Sequence, residues 1–204
     1  MKRASLFLAI IILLATYNQS LAQAIDPQRS AKAAAMSDSK FIEANIQDNE
    51  GEMMLAQLAI DRGTDQKVKD FAQLMHTDHT SILYEFEQLG SAGTGSSGRA
   101  AGTAPGNEKI ASAYQNINKA LRNDFDTVWV ENVLMVQEHK YNELTQAMES
   151  ATNPQLQMTI KRALPLLRKH VSQLRTIQRY LAKLADQERK EAAKKAAAEK
   201  KKQR

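Results

Sequence analysis

The chain has no cysteine. That excludes disulfides as a source of stability, along with thiolate zinc and iron–sulfur sites. Glycine is scarce outside one stretch, since six of the eight lie between Gly90 and Gly106. The few aromatic residues, Trp129 and the tyrosines among them, are too scattered to form a stacking platform. No segment alternates polar and apolar residues for long, so no strand is expected. There is no glycine-rich phosphate loop, no Gly-x-Ser-x-Gly and no Ser/His/Asp arrangement, so no motif supports an enzyme. Beyond the first residues there is no long apolar run, and a soluble mature domain is expected.

What is present begins at the N-terminus. Lys2 and Arg3 precede an apolar run from Leu6 to Ala15, and Ala22-Gln23-Ala24 is a small-x-small cleavage pattern. This predicts a signal peptide over 1–24, cut before Ile25, and an exported, periplasmic or secreted protein. The alternative, an uncleaved anchor, fits less well because the run is too short to span a bilayer comfortably. About 180 residues remain, enough for one domain and a tail. Residues 25–36 read as a linker. From Lys183 to Arg204 nine Lys/Arg face four Asp/Glu, a net of +5 that equals the formal net charge of the whole chain. The high pI therefore reports a basic helical tail over 183–204, not a basic domain. Export disfavours nucleic acid as its partner. An anionic envelope surface is the alternative to plain solvation.

Apolar residues recur at helical spacing nearly everywhere. A first helix runs from Ser37 or Asp38, either a possible N-cap, to Arg62, where Gly63 stops it. Thr64 or Asp65 opens a second, reaching about Leu89. Residues 90–107 form a flexible Gly/Ser-rich loop, followed by a short helix near Glu108 to Leu121. A third long helix starts near Asp124-Phe125-Asp126 and ends near Ser150. Asn153-Pro154 is an N-cap and N1 pair for a fourth, which contains Pro165. The fold class is all-α: a ferritin-like four-helix up-down bundle over 37–182, with a long connection between the second and third long helices.

Two stretches nearly repeat: Leu74-Met75-His76-Thr77-Asp78-His79 and Leu134-Met135-Val136-Gln137-Glu138-His139. Both read Leu-Met-x-x-acid-His. On helical wheels the inward stripes pass through Asp48 and Glu52 on the first helix, and through Met75 and His79 on the second. On the third they pass through Met135 and His139, and on the fourth through His170. Glu52, His79, His139 and His170 all lie near mid-helix, with height mismatches of about 7 Å at about 1.5 Å per residue. Asp48, Met75 and Met135 stand one turn away as a second layer, although both methionines also suit core filling. Three imidazoles and a carboxylate suit Zn, Fe, Mn or Cu, one transition-metal ion in the core. Asp78 and Glu138 either orient imidazoles or point to the helix flank. His76 lies off the stripe. The competing reading is that each histidine is a satisfied core residue.

A family resemblance rests on Phe41, Glu52 and Leu58-Ala59, with Val68-x-x-Phe71-Ala72-x-x-Met75-x-x-Asp78-His79. It continues through Asp124-Phe125-Asp126, Glu138-His139 and Leu164-Pro165-x-x-x-x-His170. In this order and spacing the chain resembles the exported bacterial family catalogued as Domain of Unknown Function 4142, over roughly residues 37–182. The resemblance implies a ferritin-like bundle and no established activity. Glu-x-x-His, which the usual di-iron bundle needs twice, is absent. The expected function is therefore a metal- or stress-related exported bundle, or alternatively a metal-free structural or interaction module at the cell envelope.

Overall fold

A computed structural model of the protein describes residues 27–93 and 107–202. The expected signal peptide, 1–24, and most of the expected Gly/Ser-rich loop lie outside them. Within them are five helices and no strand: α1 (Pro27–Arg62), α2 (Gln66–Gly93), α3 (Glu108–Lys119), α4 (Phe125–Ser150) and α5 (Pro154–Lys202). None of these is long and apolar enough to cross a membrane. Residues 27–36, expected as a linker, continue α1 as helix.

The helices start where side chains can satisfy the free N–H groups of a first turn. Asp65 Oδ1 accepts from Lys67 N at 2.8 Å to open α2. Asn107 caps α3 through Lys109 N and Ile110 N. Asn153 Oδ1 accepts from Gln155 N at 2.9 Å to open α5. Pro165 sits exposed within α5, which stays helical through it.

Asp38 does not cap its own helix as expected. It lies inside α1 and reaches across the molecule, accepting from Thr152 N at 3.0 Å, Thr152 Oγ1 at 2.8 Å and Asn153 N at 2.8 Å. Asp126, in the first turn of α4, makes the mirror arrangement. It accepts from Thr64 N at 3.0 Å, Asp65 N at 2.8 Å and Thr64 Oγ1. Each two-helix unit thus ties the other's turn. Gly63 is required there by close approach. A Cβ would stand 2.6 Å from the Ala59 carbonyl oxygen and 3.3 Å from Asp126 Oδ1.

α1 packs along α2 and α4 along α5, while α2 also meets α5. α3 covers the seam between α1 and α4 through Ile110, Ala113 and Ile117. The apolar core is in two parts. One surrounds Leu55, Phe71, Met75, Phe125 and Trp129. Its Trp129 indole N–H donates to Leu55 O at 2.7 Å. The other surrounds Ile82, Phe86, Leu144, Ile160 and Leu167. Between the two parts lies a layer of buried polar residues.

Candidate functional site

Helical periodicity builds this layer. On α1, Asn45, Asp48, Asn49 and Glu52 fall on one inward stripe and all are buried. α2 contributes His79, α4 contributes Gln137 and Lys140, and α5 contributes His170, again all buried. Buried polar groups at this density must find partners or cost stability.

His79 meets both Glu52 and His170. His79 Nε2 lies 3.2 Å from Glu52 Oε2. The His79 and His170 rings stand 5.4 Å apart between centroids. His139 does not join them. It is exposed and lines a surface groove of about 660 Å³ between α1, α3 and α4, with Met135. Met135 is 55% exposed, and Met75 is packed within the apolar core. On α4 Phe125, Trp129 and Val136 are buried as expected, but Met135 and His139 lie beside the buried line, which runs on through Val133, Val136, Gln137, Lys140 and Leu144. Gln and Lys are usually exposed residues, so an apolar pattern discounts them, and Met135 and His139 drew the stripe towards themselves. Asp48 is buried, one turn from Glu52, and its partner is Lys140 rather than an imidazole.

Gln137 occupies the position expected for His139. Its amide N–H groups donate to Glu52 Oε2 and to His79 Nε2, the latter at 3.0 Å. Its Oε1 faces His170 Nδ1 at 3.1 Å. The outer nitrogens of both rings are held from behind. His79 Nδ1–H donates to Asn49 Oδ1 at 2.8 Å. His170 Nε2–H donates to Asp78 Oδ2 at 2.9 Å. Asp78 is therefore an orienting acceptor, one of the two roles expected for it, whereas Glu138 turns outward to Arg175.

These two outer bonds fix the tautomers of neutral rings and turn both remaining lone pairs, on His79 Nε2 and His170 Nδ1, to the centre. Neutrality is favoured. Burial holds His79 well below its ordinary pKa, helped by His170 and Lys140. Burial also lowers His170, against the pull of Asp78. Glu52 is pushed up to about 8 by burial, with Lys140 opposing and Asp48 and Glu143 adding to the rise.

A donor count then fails to close. The two N–H groups of Gln137 are both used on Glu52 and His79. His170 Nδ1 meets the carbonyl oxygen of Gln137, acceptor against acceptor. Glu52 Oε1 is buried with no hydrogen-bond partner. The centre has more lone pairs than side-chain donors, a balance that a proton or a cation would close. Among the described residues no set of three or more His, Asp or Glu side chains is already gathered closely enough to hold an ion. The Gln137 amide stands between them. The donors themselves, two imidazoles, a carboxylate and an amide oxygen, are a chemically suitable set.

A family model described as a domain of unknown function (DUF4142) matches residues 23–177. The chain belongs to this family. The match starts just beyond the N-terminal apolar run and stops before the basic arm of α5. No curated protein and no solved structure matches the chain.

Proposed function

We propose that this member of the family is an exported, ferritin-like bundle that holds one transition-metal ion in its polar layer and serves metal or stress handling rather than turnover. Glu52, His79 and His170 are the ligands of this reading, and Gln137 Oε1 is the fourth once its amide turns. The observation that carries it is the pinning of both imidazoles from outside by Asn49 and Asp78. That turns the inner nitrogens of both rings, one of them already accepting from Gln137, towards the centre beside a buried carboxylate with one unpaired oxygen. Outer acceptors that fix a ring's tautomer and aim its other nitrogen inward are the usual support of metal-binding histidines. A bound divalent ion would supply the positive charge that this centre lacks. Nitrogen and oxygen donors suit Zn(II), Fe(II), Mn(II) or Cu(II).

The test is elemental analysis of the mature chain, purified without a His-tag and reconstituted with each metal. His79→Ala, His170→Ala and Glu52→Ala should each lose most of the ion, non-additively, because each disables one shared site. His139→Ala should keep it. Metal should raise the melting temperature of wild type. Equal retention by His79→Ala and His139→Ala would overturn the reading.

A second reading, a contact with an anionic envelope surface, is favoured by different residues. From Gln187 to Lys202 every residue of α5 is exposed. At about 100° per residue, Lys183, Lys190, Lys194 and Lys201 fall within about 20° of one line. The acids beside them are already paired, Asp186 with Lys190 and Glu191 with Lys194. Such a stripe suits peripheral binding to anionic headgroups. The two readings do not compete, since one concerns the core and the other the arm.

A further inference from the structure

One turn from Glu52 on α1 and one turn from Gln137 on α4 there is a second polar knot. Lys140 is only 3% exposed, and its ammonium donates to three oxygens. They are Asp48 Oδ2, Glu143 Oε2 at 2.9 Å and Asn45 Oδ1 at 3.4 Å. An ammonium has three N–H donors, and all three are used. Asp48 is steadied from its other side, where Asn107 N–H donates to Oδ1 at 2.8 Å. Asn45 is fixed by its own Nδ2, which donates to Phe41 O at 2.9 Å. Asp48 and Asn45 therefore keep their places through contacts that do not involve Lys140.

We propose that Lys140 determines how many ions the polar layer takes: its ammonium fills a second, oxygen-lined cation site and so limits the layer to one metal. The count of one rests on the imidazole site described above, whereas the cradle stands on its own residues.

Two carboxylates and an amide oxygen are the ligand types of a hard divalent cation such as Mn(II), Mg(II) or Ca(II). Carboxylates drawn into a protein interior need a cation beside them, because their desolvation is otherwise uncompensated. Here a side chain of the same protein supplies it. Burial works against the charged amine, but Asp48, Glu143 and Glu52 more than offset it and hold its pKa above the ordinary value. Glu52, fully buried one turn along α1, also feels the charge of Lys140. Access exists as well. Asp48 and Glu143 both line the open groove between α1, α3 and α4, so the cradle borders solvent-accessible space.

The test uses the mature chain with Lys140→Ala, Lys140→Gln and Lys140→Arg, dialysed against Mn(II) and Zn(II). Bound metal is counted and melting temperature is followed. Lys140→Ala and Lys140→Gln should each hold one more Mn(II) per chain than wild type, and Mn(II) should raise their melting temperatures more than that of wild type. Lys140→Arg keeps a cation in place and should gain nothing. Asp48→Asn added to Lys140→Ala should remove the extra ion. One ion in wild type and one in Lys140→Ala overturns this inference and leaves the imidazole site standing. None in wild type and one in Lys140→Ala supports the cradle and overturns the imidazole site. A Lys140→Ala chain that stays unfolded with Mn(II) as well as without it also overturns the inference, because an ion in the cradle would restore the lost charge.

Discussion

Replacing Glu52 with Gln should change the slope of stability against pH, and the structure fixes both sign and window. In the unfolded chain Glu52 ionises near 4.5, whereas in the folded bundle burial holds its proton to about 8. Between those values the folded state binds one proton more than the unfolded state. Its contribution is fully present below 4.5 and is lost as pH rises through 8. His79 and His170 act the other way. Their folded pKa values lie below the ordinary 6.5, so their contribution is present above 6.5 and is lost as pH falls below it. From 6.5 upward the unfolded imidazoles lose the last of their protons, a smaller and opposite slope that wild type and variant share. The difference between the two chains from pH 6.5 to 8 therefore isolates Glu52. At about 1.4 kcal/mol per pH unit, the metal-free wild type should lose about 2 kcal/mol across it relative to the variant. That corresponds to about 4–8 °C in melting temperature for a chain of this size. The amide of Glu52→Gln does not titrate, so the variant should lack this loss, whatever its absolute stability. Urea unfolding with chelator present, followed by far-ultraviolet circular dichroism at several pH values, measures both lines. Parallel lines for wild type and variant would refute the reasoning, since Glu52 would then be ionised in the folded layer at neutral pH.

Three further outcomes follow from packing. Asp126→Ala frees Thr64 N, Thr64 Oγ1 and Asp65 N at once. At about 1–2 kcal/mol for each of the three bonds to a charged, partly buried acceptor, the urea midpoint should reflect a loss of about 3–6 kcal/mol. Trp129→Phe removes the indole donor from Leu55 O and leaves a small cavity. It should cost about 1–3 kcal/mol by the same measurement. Removing residues 183–204 should leave the unfolding midpoint of the bundle unchanged, because no buried apolar residue lies beyond Ile177. It should also lower adsorption to anionic vesicles in a salt-dependent way, and equal adsorption at low salt would deny the arm its surface role.

Much of the helical pattern was legible because it depends on local signals. Apolar spacing, Gly63, Asn153-Pro154 and Asp124-Phe125-Asp126 placed four long helices and a short one close to where they lie. On α2 and α5 the apolar stripe ran through His79 and His170, since large apolar residues flank each of them by whole turns. On α4 the same reasoning failed. Gln137 and Lys140 lie on the buried line, and their burial depends on partners from α1 that no local pattern reveals. Glu52 accepts from one of them and Asp48 from the other. A clue was nonetheless present. Asn45, Asp48, Asn49 and Glu52 form a polar inward run on α1, and such a run calls for donors opposite it. The role of Asp38 was hidden for the same reason: an aspartate near an expected helix start looks like a cap, and only the tertiary fold shows that it caps a turn in the other half.

The two halves of the bundle obey a relation that the Leu-Met-x-x-acid-His repeat does not express. At one constant offset along the chain, Asp38, Thr64 and Asp65 correspond to Asp126, Thr152 and Asn153. These are the residues of the two crossed caps. The same offset pairs Asn49 with Gln137 and Glu52 with Lys140, all four buried in the layer. It pairs His79 with Leu167 and His170 with Ile82, so neither histidine has a counterpart. The halves therefore match at the turns, where each needs an acceptor from the other, and diverge in the middle. A symmetric layer would set Glu52 against a second glutamate, and two buried carboxylates without a cation would repel each other. With lysine at the matching position, the second half brings its own positive charge to the acids of the first. The unpaired lone pairs are then confined to the side where the two imidazoles meet. Asymmetry inside a symmetric frame is what separates a cradle filled by the protein itself from a centre that still lacks a positive charge.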